Sequence, residues 1–183
     1  MACSSRSISG WADPMATMTP LKPSILDKLI GDLSRVRSDG SRDLLPCFVP
    51  RLDRFNEDEL RACVRRDIEW LLNVVHFEAA VGLEDYPDVA TSVLNHGLPE
   101  LIGRAIDRQA LAHRGAEIVA AVRAFEPRLI ASSVEVLLDE GEVGFENRLR
   151  FVIHGHLMNS IDDGFIALYT AIDLDTGNVE INA

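Results

Sequence analysis

One change of hydrophobic period divides this chain. Up to Phe125 the apolar residues recur at steps of three and four, and beyond Leu129 they alternate. The two regimes meet at Phe125-Glu126-Pro127-Arg128-Leu129. Pro127 has no backbone N–H and drives the residue before it out of the α region, so a helix must end within a residue or two of this point. Helices followed by an antiparallel meander make an α+β domain: N-terminal helices packed on a small sheet of three to four strands.

Residues 1–22 carry Ser, Thr, Met and Pro without sustained periodicity and read as a flexible arm, with Trp11 as its one potential anchor; residues 23–183 read as a single domain. Lacking the periodicity that buries surface, the arm is expected to be dispensable for folding. A first helix is predicted over Ser24 to Leu33, with Ile25, Leu26, Leu29, Ile30 and Leu33 on its apolar side. Ser24 is its cap and Asp27 stands close to the capping-box position. Leu44 to Leu52, interrupted by Pro46 and Pro50, is expected to cross the surface extended.

The longest helix is predicted from Asn56 to Val75. Leu60, Val64, Ile68, Leu71, Leu72 and Val75 define one face, and Arg61, Arg65, Arg66 and Glu69 lie mostly off it. Those arginines are either a solvated face or a docking surface for an acidic partner. Pro87 to His96 reads as helix ending at Gly97, and Asp107 to Phe125 as the last helix, with Leu111, Gly115, Ile118, Val122 and Phe125 on one side. A glycine on that stripe predicts close approach by another element. Strands are predicted over Ser133–Leu138, Arg148–Leu157, Phe165–Leu174 and Val179–Ile181, with a hairpin loop at Asp175-Thr176-Gly177-Asn178.

The net charge of −11 weighs against nucleic acid and against a polybasic membrane surface, leaving protein as the expected partner. Cys3, Cys47 and Cys63 form no C-x-x-C pair; neither a disulfide framework nor a zinc site is expected, and a reducing cytoplasm fits. No apolar run is long enough to insert in a membrane. His154 and His156 share a strand face, but Arg148 and Arg150 beside them oppose a cation, so no metal or other cofactor is expected. Phosphate loops, G-x-S-x-G and H-E-x-x-H are absent. Glycoside hydrolysis needs a second carboxylate that the sequence does not nominate, so no catalytic residue and no enzymatic activity are expected. Cys63, in mid-helix, reads as a half-buried structural thiol.

Three stretches, in order and approximate register, carry a resemblance: Val64-Arg65-Arg66-Asp67-Ile68-Glu69-Trp70-Leu71-Leu72-Asn73, Pro87-Asp88-Val89-Ala90-Thr91-Ser92-Val93-Leu94-Asn95-His96-Gly97-Leu98-Pro99, and Phe125-Glu126-Pro127-Arg128-Leu129. Together they resemble the TssE family, the small wedge subunits of the type VI secretion baseplate, related to a baseplate wedge protein of contractile-tailed phages. The resemblance spans about Pro23 to Ile181. Val74-Val75 and His96 depart from the family's usual Thr-Arg and Tyr.

The resemblance implies a structural part: a baseplate wedge-like fold, partnership with the baseplate subunits TssF, TssG and TssK, and templating of the TssB–TssC sheath. Carried onto this sequence, it makes Glu126, Pro127, Arg128, Arg65, Asp67, Asn73 and Asn95 the expected partner-binding residues. For Glu126 and Arg128 an internal brace at the helix–sheet joint is an equal reading. A regulatory anti-adaptor of the same superfamily is the alternative from another class, and a glycosidase the third. A sheet edge able to accept a strand from another chain suits the templating role.

Overall fold

The computed structural model describes residues 21–33, 49–100, 108–138, 148–160 and 163–182. The arm, Trp11, Cys3, Cys47 and most of the Leu44–Leu52 stretch lie outside the described residues, as does the Leu111 side chain.

Among the described residues four α-helices precede four strands: α1 (Ile25–Leu33), α2 (Glu57–Leu72), α3 (Pro87–Ala90) and α4 (Arg108–Phe125), then β1 (Glu135–Leu138), β2 (Arg148–His156), β3 (Phe165–Asp173) and β4 (Val179–Asn182). The strands form one antiparallel sheet in the order β1-β2-β3-β4. The α+β expectation holds, with four strands. Alternation does what it predicts on β2: Leu149, Phe151 and Ile153 point into the core while Arg148 and Arg150 stay outside. Gly177 takes a φ of +72° in the last hairpin, a conformation glycine adopts without steric cost.

Beneath the sheet, α2 contributes Leu60, Val64, Ile68, Leu71 and Leu72, and α4 contributes Ile118 and Val122. Asn56 caps α2, accepting from the Glu59 N–H at 3.0 Å. Gly115 faces the sheet, where an added Cβ would lie 3.8 Å from Val136 and 3.9 Å from Phe151. The approach predicted from the glycine is therefore ordinary van der Waals contact.

Four local expectations are corrected. The apolar side of α1 does not face the core: Ile25, Leu26 and Leu29 are exposed, while Ile30 and, unexpectedly, Asp27 are buried. Asp27 is drawn inward by Arg66, and this sets the rotation of the helix. Arg66, read as lying off the buried face of α2, is itself buried, because carboxylates meet it on both sides. The α2 helix stops at Leu72, where both the backbone N–H and the side-chain Nδ2 of Asn73 donate to the Glu69 carbonyl, and Val75 is exposed. Finally, the Pro87–His96 helix is only α3: Ser92 Oγ accepts from the Leu94 N–H and starts a separate 3-10 turn, Val93–Asn95.

The last strand pair is unequal. β3 is nine residues long, but β4 pairs only with Tyr169–Ile172. The Asp173 N–H donates to the Asn178 carbonyl, so by the period of two the backbone groups of 171, 169, 167 and 165 point toward the same edge. Among the described residues no strand lies opposite Phe165–Leu168.

Candidate functional site

The helix–sheet seam is built from a chain of alternating charges. α4 ends with the Glu126 N–H donating to the Val122 carbonyl at 2.9 Å, and Pro127 stands exposed at the turn. The chain then docks on the end of β2: the Met158 N–H donates to the Arg128 carbonyl at 2.7 Å and the Ile130 N–H to the His156 carbonyl at 2.9 Å. This turn directs Glu126 inward, where it is 3% exposed. Arg128 closes over it, donating from Nε to Oε1 at 2.7 Å and from Nη2 to Oε2. Such two-pronged pairing fixes geometry as well as charge.

The same Arg128 Nη2 donates to Asp67 Oδ2 on α2 at 2.6 Å. Asp67 Oδ1 in turn accepts from Arg66 Nε at 2.7 Å, and Arg66 Nη2 reaches Asp27 Oδ1 on α1, also at 2.7 Å. Asp27 closes the series with a capping box: its Oδ2 accepts from Ser24 N–H and Oγ, and its N–H donates to Ser24 Oγ. Glu126, Arg128, Asp67, Arg66 and Asp27 thus tie α4, the seam, α2 and α1 into one unit. Arg66 also lies over the Trp70 ring, 4.9 Å from its centroid.

The network sets its own protonation. Burial pushes the Asp27 carboxyl up, but hydrogen bonds from Ser24 and Arg66 outweigh it and hold it below its ordinary value. Burial alone would lower Arg128; its contacts with Glu126 and Asp67 reverse that and keep it firmly charged. Cys63, fully buried rather than half-buried, is pushed up to about 12, chiefly by burial and then by the charge of Asp27.

Beside the seam a cleft of about 220 Å³ opens, lined by Leu26, Trp70, His96, Phe125, Asp67 and Arg128. Arg128 Nη1 is buried here and makes no hydrogen bond. His96 packs edge-on against Phe125 with centroids 5.2 Å apart, and burial lowers its pKa despite the nearby Asp67.

The structure brings Glu126, Arg128 and Asp67 together, with Pro127 exposed at the turn between the first two, and sets Arg65, Asn73 and Asn95 apart. Asn73 serves β4: its Nδ2 donates to the Val179 carbonyl and its Oδ1 accepts from the Val179 N–H, both at 2.9 Å. Asn95 is buried among turns, accepting from the Glu78 N–H at 2.9 Å and donating to the Ala90 carbonyl at 3.0 Å. Arg65 lines a second groove, about 330 Å³, with Asp58, Arg61 and Ala62 on one wall and Ile166, Ala167 and Leu168 on the other. There Arg61 Nη1 donates to the Phe165 carbonyl. The sequence reading missed Asp27, and it placed Arg66 on the wrong side; the one signal for Asp27 was its place in the capping box.

A family model described as baseplate wedge protein gp25 matches residues 58–160, more than half of the 183 residues. All seven sequence-nominated residues fall inside the matched span, whereas Asp27 and the β3–β4 hairpin fall outside it. No curated protein and no solved structure matches the chain.

Proposed function

This chain belongs to the baseplate wedge protein gp25 family, and from that membership we propose that it is a TssE-like wedge subunit of a type VI secretion baseplate. Membership carries a structural part in a phage-tail-like baseplate, among other baseplate proteins. On the finer reading those neighbours are TssF, TssG and TssK on the cytoplasmic side, and the chain offers the TssB–TssC sheath its first template. Among the described residues no helix is long and apolar enough to cross a membrane.

The observation that supports a templating role is the uncovered half of β3. The Ala167 N–H and C=O point to an edge that β4 does not reach, in the groove walled by Arg61 and Arg65. An extended segment of a sheath subunit laid there gains backbone hydrogen bonds in register, and the arginines favour acidic side chains along it. Ala167→Pro tests it, because proline removes the outward N–H while the β2–β3 ladder on the other side keeps its bonds. The expected result is a folded protein with no sheaths visible in cells. Normal sheaths in both Ala167→Pro and the Arg61→Glu/Arg65→Glu pair would defeat the templating role.

The part proposed is non-catalytic. Both Glu126 oxygens are occupied by Arg128, and Asp67 is tied to two arginines, which leaves this carboxylate pair poorly suited to work on a sugar. Incubation of purified peptidoglycan with the protein is expected to release no fragments; release that disappears in Glu126→Gln would refute this.

A further inference from the structure

A second surface, away from the β3 edge, combines exposed apolar side chains with a single sign of charge. Between Leu72 and Pro99 the chain runs through short turns instead of long elements. Two of them, Phe77–Ala79 and Val93–Asn95, are locked together by Asn95, which binds Glu78 and Ala90. Where the Leu98 N–H meets the Val74 carbonyl, Gly97 adopts a φ of +134°, and a Cβ there would collide with that carbonyl. The turns are therefore rigidly held, yet they present Phe77, Val81, Val93 and Leu94 to solvent, Val93 at 84% and Leu94 at 71% exposure. Fixing large apolar groups in water stabilises nothing among the described residues.

Charge identifies what they fit. From Asp67 to Gly103 the sequence holds seven carboxylates and no Lys or Arg. Glu78, Glu84, Asp85 and Asp88 are exposed on the same run of turns. We propose that this surface docks a basic amphipathic helix of a neighbouring baseplate protein, its apolar stripe on Val93, Leu94 and Phe77 and its Lys/Arg flank against the carboxylates. A helix suits the site better than a strand, because turns offer projecting knobs and no continuous backbone edge. An apolar centre inside a charged rim of one sign gives both affinity and partner choice. Only the identity of the partner rests on the wedge reading; the surface itself does not.

The test uses the full chain and a synthetic amphipathic Leu/Lys helical peptide, compared by calorimetry with a scrambled peptide of identical composition. The ordered peptide is expected to bind at least about tenfold more tightly than the scrambled one. Val93→Asp/Leu94→Asp should lose that advantage with an unchanged melting temperature, and Glu84→Lys/Asp85→Lys should weaken binding and its salt dependence. Equal binding of the two peptides, or indifference to the Val93/Leu94 change, would reduce the surface to general acid–base attraction and overturn the proposal. Tighter binding after removal of residues 1–20 would assign the patch to the chain's own N-terminal segment and overturn it as well. In cells, Val93→Asp/Leu94→Asp is expected to release co-purified baseplate subunits while Ala167→Pro retains them. The reverse pattern would refute this docking face, whatever becomes of the sheath reading.

Discussion

Arg66 Nη2 on α2 donates to Asp27 Oδ1 on α1 at 2.7 Å, across 39 positions of sequence, and both side chains are almost wholly buried. A buried pair of this kind is a brace that cannot be half removed. Desolvated charges are tolerable only while paired, and taking away one partner costs more than the pair itself contributes. The same rule runs along the whole chain of charges to Glu126, and it makes the members unequal.

Arg128 holds Glu126 and Asp67 at once, whereas Glu126 depends on Arg128. Arg128→Ala is therefore expected to destabilise by about 3–5 kcal/mol, because it leaves Glu126 in the interior with no counter-charge and only the backbone N–H of residue 128, 3.0 Å from Oε1, as a partner. Glu126→Ala leaves Arg128 its bond to Asp67 and should cost only about 1–2 kcal/mol. Glu126→Leu/Arg128→Met should cost less than the two alanine changes summed. Urea unfolding of the four proteins checks the order; equal losses for the two alanine variants would contradict it.

The Asp27 carboxyl titrates below its ordinary value of about 3.9 in the folded state. Its contribution to stability is therefore complete above about pH 4 and disappears as pH falls through the lower folded value. Asp27→Asn should flatten the acid limb of the stability–pH curve while lowering stability at neutral pH. A variant with the parent's acid limb would show that other carboxylates govern it.

Cys63 is fully buried, and its thiol is pushed up to about 12. Thiolate is the reactive form, so at pH 8 the folded protein should resist alkylation at this position. In urea Cys63 should react at the rate of a free thiol. Mass spectrometry of peptides after an iodoacetamide pulse separates it from Cys3 and Cys47, and prompt modification of folded protein would count against the burial.

Two glycines should respond in opposite directions. Gly115 sits inside α4 with room for a methyl group, so Gly115→Ala is expected to stabilise by about 0.5–1 kcal/mol. At Gly97 a Cβ would come within 2.4 Å of the Val74 carbonyl oxygen, and the positive φ adds strain, so Gly97→Ala should destabilise by more than about 2 kcal/mol. Thermal melts of the two variants read both signs.

Much of the fold was legible because its signals are local. Leu149, Phe151 and Ile153 announce a half-buried strand by alternation alone, and Pro127 stops α4 by its own covalent structure. The site was legible in part, since Glu126, Arg128 and Asp67 lie within motifs that mark the family. What escaped was set by partners distant in sequence. Nothing near Asp27 says that it will be buried, because its guanidinium partner lies on another helix. The apolar residues beside it, Ile25, Leu26 and Leu29, point the other way for that reason. Asn73 reads as a surface residue at a helix end until β4 arrives, 106 positions later, with the Val179 backbone.

The uneven β3–β4 pair bears on self-association as well as on assembly. A sheet edge left open in solution invites a second copy of the same chain to pair with it. Here any such copy would bring its own Arg61 and Arg65 up against those of the first, along the uncovered half of β3. Like charges at close quarters would discourage that pairing, while a different chain carrying acidic residues would meet no such barrier. On the templating proposal, Arg61 and Arg65 would discourage pairing between identical molecules and leave this edge to a partner of opposite charge.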